Sequence, residues 1–377
     1  MTLDYIVTSR TLKESVLPPA KSFNTLMVIV EDATRAGEVK TYTGTEQART
    51  DGVAKKYLDA IDVIFSQELA PSFIKVGFVD AFDKDNMDNL SKISDWYITV
   101  FHDEDLTDGD IPDLASWFAS NKKIGIVTDT NAGALDGTAG LTKALFDAQY
   151  DHMFAIYAPL IDQEDGVTAT DKYRYISYAV ASGMASVNFD EADSYYALPH
   201  LIRNIVGVST VGLTPTEYET LTGYTIGVGY DKTKGLLGNV YADYEGFKFG
   251  VYSGLMPTGV GVNEIHFIDW LNHRIQEDQA RYFKQNKVTT YRDKDLAGLM
   301  LNFRISLLRG VRAGGLIEEQ IAVESMERLK ERITDFHRSN KMLPAIQANI
   351  ICSGHIQHTA YESVCQPYTR RDNIEFQ

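Results

Sequence analysis

Two hydrophobic periods alternate along the chain. Leu26, Met27, Val28, Ile29 and Val30 form an unbroken apolar run, as a strand covered on both faces requires. Residues 50–65 then carry Val53, Tyr57, Ile61 and Ile64 at helical spacing. The exchange repeats: strand-like runs at 73–79, 96–101, 123–127 and 153–158 alternate with helical patterns at 86–93, 111–119, 141–150 and 172–184. Asp110 and Pro112 mark a helix start, the aspartate as N-cap and the proline in the first turn. This order predicts an α/β layer domain with a partly parallel sheet.

The texture changes further along. Residues 205–262 are rich in Gly and Tyr, and strand-like runs at 224–230, 239–244 and 247–252 predict a β-meander, with Gly235, Gly238, Gly246 and Gly254 as turns. Two amphipathic helices follow. The first carries Ile265, Ile268, Leu271, Ile275 and Tyr282; the second carries Leu296, Met300, Phe303, Leu307 and Val311 and ends at Gly314-Gly315. A charged helix is predicted over 318–337, then strands over 345–352 and 356–365, then a polar tail. At the other end Leu3, Tyr5, Ile6 and Val7 precede Pro18-Pro19 and read as an extended arm.

Length and composition narrow the function classes. The 377 residues suggest two or three domains, and 44% hydrophobic with 23% charged residues is a globular composition. No apolar run is long enough for a transmembrane helix, and residues 1–10 lack the layout of a secretory signal. Two cysteines, Cys352 and Cys365, exclude a disulfide-built scaffold. A net charge of -16 argues against nucleic acid as the main partner. The charge is uneven: residues 263–377 hold 16 Lys+Arg and 15 Asp+Glu, which leaves 20 against 37 in residues 1–262. This split points to protein contacts on the C-terminal part and solvent on the acidic part.

Candidate chemistry is sparse. Cys352, His355, His358 and Cys365 are soft ligands within 14 residues, but their spacing fits no zinc motif, so they read as structural. The acidic run Asp103, Glu104, Asp105, Asp108 and Asp110 imitates a calcium loop, yet Asp108 stands where that loop needs Gly and Leu114 where it needs Glu. Gly133, Gly137 and Gly140 precede a helix without the Lys-Ser/Thr of a phosphate loop, and Gly259 and Gly261 lack the third glycine of a dinucleotide fingerprint. No GxSxG or HExxH occurs. No catalytic, cofactor or metal site is expected. The alternative is an α/β enzyme binding a nucleotide or small metabolite at the carboxyl ends of its strands.

Four segments carry a family resemblance: VTSRTLKESVLPPAKSFNTLMVI at 7–29, DWYITVFHDEDLTDGDIPDLASWFASNKKIGIVTDTNA at 95–132, GNVYADYEGFKFGVYSGLMPTGVGVNEIHFIDWLNHRIQ at 238–276, and DLAGLMLNFRISLLRGVRAGGL at 295–316. In their order the chain resembles contractile-tail sheath subunits of bacteriophages, of a divergent and short group. It lacks the Gly-Val-Tyr start of many sheath proteins. The resemblance implies an α/β and α+β multidomain chain: an N-terminal arm (1–22) joining the core, an outer α/β domain (23–200), a β-rich segment (201–262) and a C-terminal core domain with a terminal arm (263–377). It implies a structural, non-enzymatic subunit without cofactor, assembling with itself as stacked hexameric rings around a tail tube and contracting to drive the tube through the host envelope. Its partners would be the tube protein, baseplate and tail terminator, with no direct nucleic-acid contact or membrane insertion. Its place would be the virion tail, assembled in the host bacterial cytoplasm. Leu3, Tyr5, Ile6, Val7, Ile374 and Phe376 would form the subunit-linking arms. Arg304, Arg309 and Arg312, spaced near one side of their helix, would face the tube or a neighbour.

Overall fold

The computed structural model describes residues 22–102, 106–159, 175–201, 205–226, 228–244 and 247–354, with backbone alone for 243–244 and 247–249. Strand β1 (Leu26–Glu31) explains its own composition. Leu26, Val28 and Val30 enter one hydrophobic cluster and Met27 and Ile29 the other, so helices must cover both faces. β2 (Val39–Tyr42), α1 (Thr45–Thr50), α2 (Lys55–Ser66), β3 (Ile74–Val79), α3 (Lys84–Ile93), β4 (Ile98–Val100), α4 (Ile111–Asn121), β5 (Ile124–Asp129), α5 (Gly133–Asp136), α6 (Leu141–Ala148), β6 (Met153–Tyr157) and α7 (Ile176–Ser186) continue the alternation. Next come α8 (Leu198–Leu201), α9 (Pro215–Thr222), β7 (Tyr224–Thr225), β8 (Gly229–Tyr230), β9 (Asn239–Tyr244) and β10 (Phe247–Tyr252). The chain then forms α10 (Val262–Gln285), α11 (Asp293–Arg312), β11 (Ala322–Val323), α12 (Met326–Glu331), α13 (Asp335–Ser339) and β12 (Ala348–Asn349).

One eight-stranded sheet, in the order β10-β9-β6-β5-β4-β1-β3-β2, organises these elements. The six inner strands run parallel, and β2 and β10 are antiparallel at the edges. α2, α7 and α10 supply one covering layer; α3, α4 and α6 supply the other. Edge strand β2 is four residues long and carries Lys40, which discourages sheet-to-sheet pairing.

Helices α10 and α11 pack on each other as a hairpin in which glycines seat rings. A Cβ on Gly315 would lie 2.4–2.7 Å from three atoms of the buried Phe267 ring, and one on Gly298 would meet the Tyr282 hydroxyl. Between these seats the buried Asp278 accepts from Ser306 Oγ at 2.9 Å and Arg309 at 3.1 Å.

α10 is tied to the amino-terminal ends of the strands. Tyr97, just before β4, donates its hydroxyl to Asp269 Oδ2 at 2.8 Å. His152, just before β6, stands with Nε2 at 3.0 Å from the same oxygen and Nδ1 at 2.6 Å from Asp151. Burial alone would push the His152 pKa down, but Asp269 and Asp151 hold it above its ordinary value of 6.5.

Several predicted elements take a different form. The helix expected over 50–65 starts later, at Lys55, as α2; Thr50 ends the separate helix α1, and Gly52 stands between them in a left-handed conformation (φ 77°). The strand expected over 224–230 folds on itself as the β7–β8 hairpin, Tyr224 opposite Tyr230. The charged helix over 318–337 is replaced by a 3-10 turn, β11, α12 and the start of α13, because Ser325 and Thr334 stand as N-caps inside the span. Only Ala348–Asn349 of the expected 345–352 strand pairs, with β11, and Cys352 makes an isolated bridge to Leu316. Asp110 holds the N-cap position of α4, yet its carboxylate accepts from Thr107 N and Oγ1 instead of the helix.

Two outcomes test this packing. Gly315→Ala should destabilise the chain by about 1–3 kcal/mol through overpacking against Phe267, whereas Gly212→Ala, with open space around its Cβ, should leave the thermal midpoint unchanged. His152 is protonated more readily folded than unfolded. Its stabilisation is therefore full below pH 6.5 and is lost as pH rises through the higher folded value. The gap in thermal midpoint between wild type and His152→Gln should close from acid to alkaline pH; a gap that widens would contradict the assignment.

Candidate assembly surface

In open parallel sheets ligands bind beyond the carboxyl ends of the strands, so the described part of that end bears on the enzyme reading; residues 103–105 and 160–174, after β4 and β6, lie outside the described residues. Here the glycine-rich loop after β5 encloses a group of the protein itself. The buried Asp129 carboxylate accepts from Thr142 N at 2.7 Å and Asn131 N at 3.0 Å, and Asp108 accepts from Gly140 N at 3.3 Å. A Cβ on Gly140 would lie 2.8 Å from an Asp129 oxygen, which accounts for glycine there. Burial pushes the Asp129 carboxyl above the usual carboxylate range, while these amides pull it back. The amides a phosphate would use are thus engaged by carboxylates. An open depression of about 690 Å³ lies elsewhere, beside β2, lined by Lys40, Tyr42, Gln47 and Asp51; Lys40 and Tyr42 both bond Asp51 there.

Exposed apolar side chains occur at several places among the described residues, Ile226 and Val228 included, and the helical hairpin carries a regularly spaced set. α11 buries Leu296, Leu299, Ser306, Leu307 and Gly310 against the body of the protein. Its opposite side presents Leu301 (60% exposed), Ile305 (48%) and Leu308 (37%), a stripe at i, i+4 and i+7. Arg304 and Arg312 are exposed on the same helix. Phe283 in the last turn of α10 and Val288 in the turn that follows it are also exposed. This is a surface that can take an apolar partner with acidic groups around it.

The structure divides the three arginines. Arg309 is held within the chain by Asp278, so its role is to clamp α11 to α10; Arg304 and Arg312 remain exposed. The arm residues Leu3, Tyr5, Ile6, Val7, Ile374 and Phe376 lie outside the described residues, as do Asp103, Glu104, Asp105, His355, His358 and Cys365. Cys352 is half-buried, and among the described residues no group of three His, Cys, Asp or Glu side chains is placed to hold a metal ion. Sequence reasoning missed the Leu301–Ile305–Leu308 stripe, although its helical spacing is visible once the core face of α11 is assigned. No helix among the described residues is long and apolar enough to cross a membrane.

A scan against protein-family models and a search of curated proteins return no match. Solved structures do match, over most of the chain. A chain from the anti-feeding prophage baseplate in its contracted state aligns with TM-score 0.58 and 10% identity, covering 97% of this chain and 98% of the other. A chain from the contracted PVC sheath complex, an extracellular contractile injection system, aligns with TM-score 0.55 and 11% identity, covering 97% and 99%. The sheath tail protein of Listeria innocua aligns with TM-score 0.50 and 9% identity, covering 86% and 91%. At such identities the likeness is one of backbone architecture, and in that sense the chain has the fold of contractile injection system sheath proteins.

Proposed function

We propose that this protein is the structural subunit of a contractile sheath, assembling with copies of itself as stacked hexameric rings around a tail tube and contracting to drive that tube through a host envelope. The observation that carries the reading is the end-to-end fold match, in both chain lengths, with a chain of a contracted sheath complex. The satisfied amides at the carboxyl end of the sheet support a non-enzymatic, cofactor-free role, and the α11 stripe supports a protein partner. An interface that does not close on itself generates a helical stack. The extended sheath would be a kinetically trapped state, released by rigid-body rotation of subunits when a baseplate opens. Residues 1–22 and 263–377 would form the core. Leu3, Tyr5, Ile6, Val7, Ile374 and Phe376 would add strands to neighbouring copies, and residues 23–262 would project outward with most of the acidic charge. Arg304 and Arg312, with the apolar stripe between them, would face the tube or a neighbour. Baseplate and terminator would bind the two ends of the stack. The assembly would be a virion tail or a related injection apparatus, built in the bacterial cytoplasm.

Negative-stain microscopy of three purified proteins tests this. The full chain should form hollow striated cylinders with six-fold end-on views. A chain lacking residues 1–10 should fold but form no long cylinders. Arg304→Glu with Ile305→Glu should keep the thermal midpoint and lose cylinders or their attachment to tube. Full-length cylinders from the truncated chain would refute the arm assignment. A monomer that shows a reproducible thermal shift with a nucleotide would refute the sheath reading in favour of an enzyme.

A further inference from the structure

The helical hairpin ends in a cationic lobe, on a chain whose net charge is -16. Residues 281–295 and 325–342 hold 10 Lys+Arg and 5 Asp+Glu, and the fold brings the two stretches together. The Tyr291 hydroxyl, in the turn between α10 and α11, stands 2.9 Å from the His337 carbonyl and 2.7 Å from that of Met342. The Arg338 guanidinium lies over the Tyr291 ring at 5.1 Å, and Lys330 pairs with Asp293 at 2.6 Å. Lys284, Lys287 and Arg328 are exposed and make no ion pair among the described residues. Exposed apolar groups are interleaved with these cations along the chain: Phe283, Val288 and Phe336, the last at 64%. The opposite charge is gathered elsewhere. Residues 80–92 and 106–113 hold seven Asp against two Lys, with no Glu or Arg. Asp88 on α3 accepts from Trp117 Nε1 on α4 at 2.6 Å, which holds the two helices side by side. Asp85 and Asp113, in their first turns, are exposed and make no ion pair among the described residues.

We propose that the cationic lobe of one copy docks on the acidic α3–α4 face of a second copy, head to tail. The proposal rests on the reading of the chain as a self-assembling subunit and names the two surfaces that meet. Their positions decide the geometry. α3 and α4 follow β3 and β4, so their first turns stand at the carboxyl ends of the strands. The hairpin that carries the lobe is tied to the amino ends, through Tyr97 and His152. It packs with α2 and α7, in the layer across the sheet from α3 and α4. The two surfaces thus lie at opposite ends of the strands and on opposite layers. A lobe cannot reach the acidic face of its own chain. A two-fold pair of such copies cannot make both contacts at once. The contact is therefore heterologous and repeats from copy to copy, as an open stack requires. Opposite charge draws two net-acidic chains together in this orientation and disfavours the others. The exposed apolar groups supply the part of the contact that salt does not screen.

Sedimentation velocity of the full chain over a concentration series, with microscopy of the same samples, tests the contact. Lys287→Glu with Arg328→Glu reverses the lobe, and Asp85→Lys with Asp113→Lys reverses the face. All four side chains are exposed, so the thermal midpoints should stay at the wild-type value. Wild type should self-associate at about 20 mM salt and at least about tenfold more weakly at about 0.5 M, where charge is screened within a few ångström. Each reversed variant alone should associate at least about tenfold more weakly than wild type, because like charges then meet. A one-to-one mixture of the two variants, and a chain carrying all four substitutions, should recover association, because opposite charges meet again. A variant whose midpoint falls is replaced by its neutral counterpart, Lys287→Gln with Arg328→Gln or Asp85→Asn with Asp113→Asn, which should weaken association and flatten its salt dependence. Association of either face variant at wild-type strength overturns the proposal, and so does a mixture no stronger than its parts. Cylinders of normal length from both variants would overturn this contact alone and leave the sheath reading standing. A wild type that stays monomeric at low salt would remove the contact together with the self-assembly it rests on.

Discussion

The carboxylate of Asp269 is 7% exposed and must be satisfied where it stands, because an ionised group in that position is costly without donors. Tyr97 and His152 supply them, from the segments leading into β4 and β6. That requirement fixes α10 across the amino-terminal ends of the parallel strands, and the rest of the C-terminal part depends on α10. α11 is positioned through Asp278, Ser306 and Arg309, and through rings seated on glycines. The segment after α11 returns to the same place, where Ser353 N bonds the Gly315 carbonyl. A rigid α10 therefore holds the outer side of α11 in a defined orientation relative to the sheet.

The sheet was legible in the sequence because its strands are covered on both faces. Leu26–Val30 and Met153–Tyr157 need no alternation to be recognised when every residue is buried. Legibility failed where a local signal outweighed periodicity. Gly52 ended one helix inside an apolar pattern, and Ser325 and Thr334 restarted the chain within a charged run that reads as one helix. The site was half visible. The spacing of Arg304, Arg309 and Arg312 placed them on one helix, but the carboxylate that takes Arg309 lies 31 positions away on α10. Tyr97 and Asp269 are separated by 172 positions, and His152 reaches them from a third segment, so nothing in the linear pattern could join them.

The two ends of the sheet differ in what engages their polar groups. A fold of this class hosts many functions, which live in the sites it carries rather than in the fold. At the carboxyl end the loop amides face Asp129 and Asp108, and at the amino end the buried polar groups serve α10 and Phe23. Among the described residues, one of the exposed apolar groups is the stripe on α11, with two cations on the same helix. Three part-exposed aliphatic side chains make a small contact, far below the roughly 800 Å² per partner of a stable pairwise interface. Such a surface is of little use to a dimer. On the proposed sheath reading, the same weak contact repeated in register along a stack would gain from every copy already held in place, because each further contact would form at high effective concentration. Weak single contacts would also let subunits of such a stack slide and rotate past a central partner without a large barrier at each one. On the proposed sheath reading, an assembly that must hold together and still move would draw on that combination, which follows from the size of the stripe as much as from its chemistry.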